Sequence, residues 1–126
     1  MRSLLIIAHG SRRQASNDEV RVLSERINTK VNGDFDIVHC AFLELADPSI
    51  PEGIDLCVAQ GANEVLVMPY FLSAGRHVAE DIPEQVNIAK QNHPDVCIHI
   101  TDYLGSIDAV ADLMVTQATN AITANE

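Results

Sequence analysis

Ser3-Leu4-Leu5-Ile6-Ile7-Ala8 runs without a break into His9-Gly10-Ser11-Arg12-Arg13. The first six residues are almost wholly apolar and show no alternation. That is how a parallel strand covered on both faces reads. The glycine and charges that follow end the strand and open a loop. Three more runs have the same character: 35–42 (FDIVHCAF), 64–71 (EVLVMPYF) and 96–100 (VCIHI).

Between the runs the apolar spacing becomes helical. Val20, Leu23, Ile27 and Val31 make one stripe, and Ile50, Ile54, Cys57 and Val58 a second. Ile82, Val86 and Ala89 make a third, and Ile107, Val110, Met114, Ala118 and Ile122 a fourth. Ser16 with Glu19, Ser49 with Glu52 and Asp81 with Glu84 have capping-box spacing. Ser106 is a candidate cap for the last helix, and Gly61 a candidate stop for the second. The third helix starts near Arg76 or near Asp81, and Pro83 is expected early in it, where a missing N–H does little harm. The order βαβαβαβα predicts an α/β fold with a four-stranded parallel sheet and helices on both faces.

Composition narrows the function. The chain has 126 residues and a formal charge of −10. One domain spanning 1–126 is expected, with 123–126 frayed. The acidic balance argues against nucleic acid and anionic membrane as partners. The Leu4–Ala8 run is too short for a signal-peptide core or a membrane span, so a cytoplasmic protein is expected. Cys40, Cys57 and Cys97 have no metal-type spacing and each lies in an apolar run, so they read as reduced core residues. GxxxxGK[ST] and GxGxxG phosphate cradles are missing, as are HExxH and zinc-ribbon spacings.

In a parallel sheet, ligands bind outside the carboxyl ends of the strands. There the sequence places His9 after the first strand, Glu44 after the second and His77 after the third. Two imidazoles and a carboxylate suit a borderline divalent ion such as Fe²⁺, Co²⁺, Ni²⁺ or Zn²⁺. They also suit proton transfer near neutral pH. His39, His93 and His99 fall elsewhere and read as structural. From residue 78 onward Lys90 is the single basic residue against eight acidic ones, whereas Arg12, Arg13 and Arg76 flank the rim histidines. Their guanidinium forks suit carboxylates or phosphates. The competing reading pairs them with Asp18, Glu80 or Asp81.

Three segments resemble a known family. Leu5–Arg12 (LIIAHGSR), Phe42–Ile50 (FLELADPSI) and Val67–Val78 (VMPYFLSAGRHV) with Asp81-Ile82-Pro83 look like the three motifs of the small class II tetrapyrrole chelatases. The nearest type is the short CbiX-type sirohydrochlorin cobaltochelatase, with its sirohydrochlorin ferrochelatase relatives. The resemblance implies a flavodoxin-like domain and ATP-independent insertion of a divalent metal into sirohydrochlorin, in cobalamin or siroheme synthesis. The metal, Co²⁺ first, then Fe²⁺ and Ni²⁺, would be a substrate, and no organic cofactor is implied. His9 and His77 would bind it and accept pyrrole protons, with Glu44 assisting. Ser11, Arg12, Arg13, Ser73 and Arg76 would hold the polycarboxylate ring. Short members pair as homodimers, so a cleft shared between two copies is expected. A metal or tetrapyrrole carrier of the same fold is the alternative. A phosphohistidine-type phosphatase is disfavoured, because Ala8 stands where an arginine would precede the histidine. No His-rich metal store is present.

Overall fold

The computed structural model describes residues 1–124, and of His77 its backbone alone. β1 (Arg2–Ala8) is the centre of the sheet, and six of its seven residues are buried. β2 (Ile37–Phe42), β3 (Glu64–Pro69) and β4 (Cys97–Ile100) complete it in the order β2-β1-β3-β4. All three pairings are parallel. The helices are α1 (Gln14–Lys30), α2 (Ile50–Ala59), α3 (Arg76–Asn92) and α4 (Asp108–Ala124), with a 3₁₀ turn at Leu104–Ser106. The expected α/β architecture is the observed one.

Leu5, Ile7, Val65, Val67 and Ile98 project to one face of the sheet. There they pack with Ile54 and Cys57 of α2 and with Ile82, Val86 and Ala89 of α3. Each fully buried Leu, Ile or Val contributes about 1.5–3 kcal/mol. The opposite face carries Leu4, Ile6 and Cys40, with α1 across it; Ser24 of α1 reaches the Cys40 thiol. Burial pushes the Cys40 and Cys57 thiols up from their ordinary range.

Helix ends follow the predicted chemistry only in part. Ser49 caps α2 as expected: its Oγ accepts from the Glu52 N–H at 3.2 Å and donates to the Glu52 carboxylate at 3.0 Å. At the other end Gly61 has φ +106, its N–H reaches the Val58 carbonyl, and Ala62 N–H reaches that of Cys57. Those two bonds close a Schellman stop. The Ser16–Glu19 box does not form, because α1 already begins at Gln14 behind Arg13. Asp81–Glu84 is no helix start either. α3 begins at Arg76 with Gly75 at its N-cap, which puts Pro83 inside the helix. Ser106 bonds back to the Tyr103 carbonyl within the 3₁₀ turn instead of capping α4.

Cover on both faces holds for β1 and fails for β3 and β4. On the α1 side, Glu64, Leu66 and Met68 are half-buried, and Cys97 and His99 are exposed. Cys97 is therefore not a core residue; Cys57 is, and Cys40 is half-buried. No residue of α4 is buried, and Leu113, Met114, Val115 and Ile122 stand 64–66% exposed. Among the described residues, no helix is long and apolar enough to cross a membrane.

Candidate functional site

The chain leaves β1 for β2 on one side and then crosses to β3 on the other. The order therefore reverses at β1/β3, and the loops after these strands diverge to opposite faces. Such a switch point opens a crevice at the carboxyl edge of the sheet. His9 leaves the end of β1 there. The loop after β2, with Glu44, lies on one side of it, and the loop after β3, with Ser73, on the other.

The structure joins two of the predicted residues directly. His9 Nε2 lies 2.9 Å from Glu44 Oε1, and both side chains are 58% exposed. An ionised carboxylate can only accept, so the imidazole donates its Nε2–H. Its Nδ1 then keeps a lone pair for a metal or a proton. A carboxylate behind a histidine fixes the ring's tautomer and orientation.

Gly10 makes this contact possible. Its φ is +95, a region closed to most side chains, and a Cβ there would lie 1.7 Å from the Glu44 carbonyl oxygen. The two loops continue the strand pairing beyond the sheet. Leu43 N–H donates to Ala8 O at 2.9 Å, and Glu44 N–H to His9 O at 3.0 Å. Leu45, next to Glu44, has φ +65. A non-glycine residue held there costs about 1–2 kcal/mol. Strain of this kind collects at functional sites.

Two residues not singled out in the sequence hold these loops. Asn17 of α1 is buried; its Oδ1 accepts from Ser11 N–H at 2.9 Å and its Nδ2 donates to Ser11 O at 2.8 Å. Arg21 donates to the Asp47 carbonyl at 2.9 Å and to Asp18 at 3.0 Å. Its guanidinium lies 5.1 Å from the centre of the Phe42 ring. Asn17 thus pins the loop after His9, and Arg21 the loop after Glu44. The available signal was an asparagine on the inward face of α1.

The third loop is tied on both sides. Tyr70 N–H donates to Ile7 O at 2.7 Å, and Gly105 N–H to Phe71 O at 2.9 Å. Ser73 is exposed on it. Arg76 opens α3, exposed, and reaches Glu80 at 3.4 Å, one of the pairings weighed for it. The His77 backbone lies in the first turn of α3; its side chain is outside the described residues. Arg12 and Arg13 are exposed and make no ion pair among the described residues, since Asp18 is taken by Arg21. Ser11 Oγ accepts from Arg13 N–H at 3.0 Å, so it braces the loop.

The other histidines are held elsewhere. His39 meets Gln60 at 2.9 Å on edge strand β2, and His93, at the end of α3, meets Asp55 at 2.6 Å. His99 lies beside Cys97 on β4.

The CbiX family model matches residues 3–121. The chain belongs to the CbiX family. Sirohydrochlorin ferrochelatase of Priestia megaterium is 32% identical over 91% of this chain. Chloroplastic sirohydrochlorin ferrochelatase of Arabidopsis thaliana is 37% identical over 88%. Sirohydrochlorin cobaltochelatase of Methanocaldococcus jannaschii is 33% identical over 74%. The CbiX chain spans 42%, 48% and 64% of these three relatives. Among solved structures, a CbiX protein of Marinobacter aquaeolei VT8, described as of cobalamin (vitamin B12) biosynthesis, superposes over the whole of both chains. Its TM-score is 0.82 at 23% identity, a likeness of fold. The sirohydrochlorin chelatase SirB of Bacillus subtilis subspecies spizizenii, in complex with cobalt, gives a TM-score of 0.80 at 28% identity. That match covers 94% of the CbiX chain and 50% of SirB.

Proposed function

We propose that the CbiX chain inserts a divalent metal, Co²⁺ first and Fe²⁺ next, into sirohydrochlorin in the cytoplasm without ATP. The observation that carries this reading is the His9–Glu44 pair at the β1/β3 switch point, in a chain whose relatives are named for this chemistry.

Metallation replaces two pyrrole N–H protons with one M²⁺, so two protons must leave. A neutral imidazole can take a proton or hold a metal, but not both through one nitrogen at one time. The work is therefore divided. One rim histidine, His9 or His77, holds the entering metal, and the other, or Glu44, accepts protons and passes them to solvent. Glu44 behind His9 keeps the ring turned so that Nδ1 faces the entering ion or proton. Arg12, Arg13 and Arg76, with Ser11 and Ser73 near them, meet the ring's carboxylates. The unpaired forks of Arg12 and Arg13 favour that use over structural pairing.

The site is open, and a large flat ring needs cover from a second side. α4 supports the view that a second copy supplies it. Helices in proteins draw most of their stability from packing an apolar face, yet α4 buries no residue and its Leu113, Met114, Val115 and Ile122 are uncovered. A homodimer sharing the cleft would bury them.

Purified protein, sirohydrochlorin and Co²⁺ or Fe²⁺ should show metallation in the visible spectrum faster than the uncatalysed mixture. Turnover beyond one equivalent per chain separates an enzyme from a carrier. No excess over the blank would overturn the proposal.

A further inference from the structure

Cys97 and His99 are two residues apart on β4, so their side chains share one face of the strand. β4 is an edge strand, and this is the sheet face that α2 and α3 leave alone. Across the ladder, Cys97 stands in register with Glu64 of β3. The three residues offer a sulfur, a nitrogen and an oxygen, all within 4.8 Å of one another, and Cys97 Sγ is 3.0 Å from His99 Nε2. Tetrahedral coordination at ordinary metal–sulfur and metal–nitrogen lengths sets such atoms about 3.6 Å apart. Small rotamer adjustments on an exposed strand reach that spacing.

Glu64 is prepared for the role. Arg2 donates from Nε to Glu64 Oε1, which fixes the carboxylate on the face of the ladder that carries Cys97. The second carboxylate oxygen is left for another partner. Arg2 also donates to the Asp34 carbonyl, and its backbone N–H donates to Asp36. These bonds tie the Arg2 guanidinium and backbone to the 34–36 loop as well as to Glu64. A shallow cavity of about 490 Å³ lined by Glu64, Cys97, Asp34 and Asp36 gives access from solvent.

We infer that Glu64, Cys97 and His99 form a second metal site, for a borderline transition ion of the Zn²⁺, Co²⁺ or Ni²⁺ class. A thiolate and an imidazole select such ions over Mg²⁺ and Ca²⁺, which want oxygen ligands. Three protein ligands leave the fourth position to water. Binding is a coordination step: the Cys97 thiol gives its proton to solvent, and sulfur, imidazole and carboxylate each donate a lone pair. Glu64 opens β3 and the rim lies beyond its other end, about 17 Å away at 3.3 Å per residue. The site is thus separate from His9 and Glu44 and does not rest on the chelatase reading.

The test is titration of the reduced, metal-free protein with Co²⁺ alone, with no tetrapyrrole present. Bound thiolate gives a sulfur-to-cobalt charge-transfer absorption in the near ultraviolet, which the rim residues, holding no sulfur, cannot produce. The band should saturate at one thiolate-bound Co²⁺ per chain, and Co²⁺ taken up by the rim histidines adds nothing to it. Cys97→Ser should abolish it, His99→Ala should weaken the affinity at least tenfold, and His9→Ala should leave it intact. Cys97 and His99 are exposed, so both variants should melt as the parent does without metal. Absence of the band in the parent, or its survival in Cys97→Ser through Cys40 or Cys57, would overturn the inference.

Discussion

Replacing Gly10 with alanine tests how the rim is built. A Cβ at this position would lie 1.7 Å from the Glu44 carbonyl oxygen and 2.9 Å from its carbon, and carbons do not approach backbone that closely. The loops after β1 and β2 must therefore separate by more than about 1 Å, which breaks the Glu44 N–H to His9 O bond. A displacement of about 1 Å in a catalytic group can cost on the order of 100-fold in rate. Stability falls as well. Holding alanine at φ +95 costs about 1–2 kcal/mol, and the lost hydrogen bond about 1 kcal/mol more. For a chain of this size that is roughly 8–15 °C in Tm. Metallation of sirohydrochlorin by Co²⁺ should be followed at a temperature where circular dichroism shows the variant folded. A folded Gly10→Ala protein with the parent's rate would refute the claim that the His9–Glu44 spacing matters.

Other expectations are more local. Asn17→Ala removes both hydrogen bonds to Ser11 and should lower stability by about 1–3 kcal/mol in urea denaturation; an unchanged midpoint would mean Asn17 does not pin the loop. Leu45→Asn keeps φ +65 with a residue that tolerates it and should raise stability by about 0.5–1 kcal/mol, read as a higher urea midpoint with no change in slope. Burial raises the Cys40 and Cys57 thiols, so the folded state keeps them neutral where the unfolded chain ionises. Stability from them is full below the ordinary thiol pKa, about 8.5, and is lost as pH rises above it. The urea midpoint of the parent should fall between pH 8 and pH 10, and Cys57→Ala should show a smaller fall from its own starting value. Leu113→Glu with Met114→Glu puts charge on the exposed stripe of α4; light scattering should give a dimer for the parent and a monomer for the variant. A monomeric parent would contradict the shared cleft.

Much of this was readable in the chain. The Leu4–Ala8 run read as a strand covered on both faces, and the runs after it gave the parallel sheet because β-branched clusters separated by helical stripes allow little else; that β1 is the centre strand comes from the strand order. His9, Glu44 and His77 were legible as residues of one rim, since loops after parallel strands share the carboxyl edge; that His9 meets Glu44 follows from the strand order. Other features depend on what packs against what. Asp81 and Glu84 have capping spacing, but the same spacing arises inside any helix, and α3 already starts at Arg76 behind Gly75. Asn17 and Arg21 look like ordinary polar helix residues until α1 is laid on the sheet. Cys97 sits in an apolar run, yet the helix that would cover its side of β4 is absent from that face. α4 has a core-type stripe that finds no core among the described residues.

The central claim is that His9, Glu44 and His77 at the carboxyl rim carry metal and protons during insertion. The most direct measurement is the steady-state rate of Co²⁺ insertion into sirohydrochlorin by the parent, His9→Ala and His77→Ala, each less the uncatalysed rate. Multiple turnovers by the parent, with most of the excess lost in both folded variants, is the expected result. Full activity in both variants would contradict it.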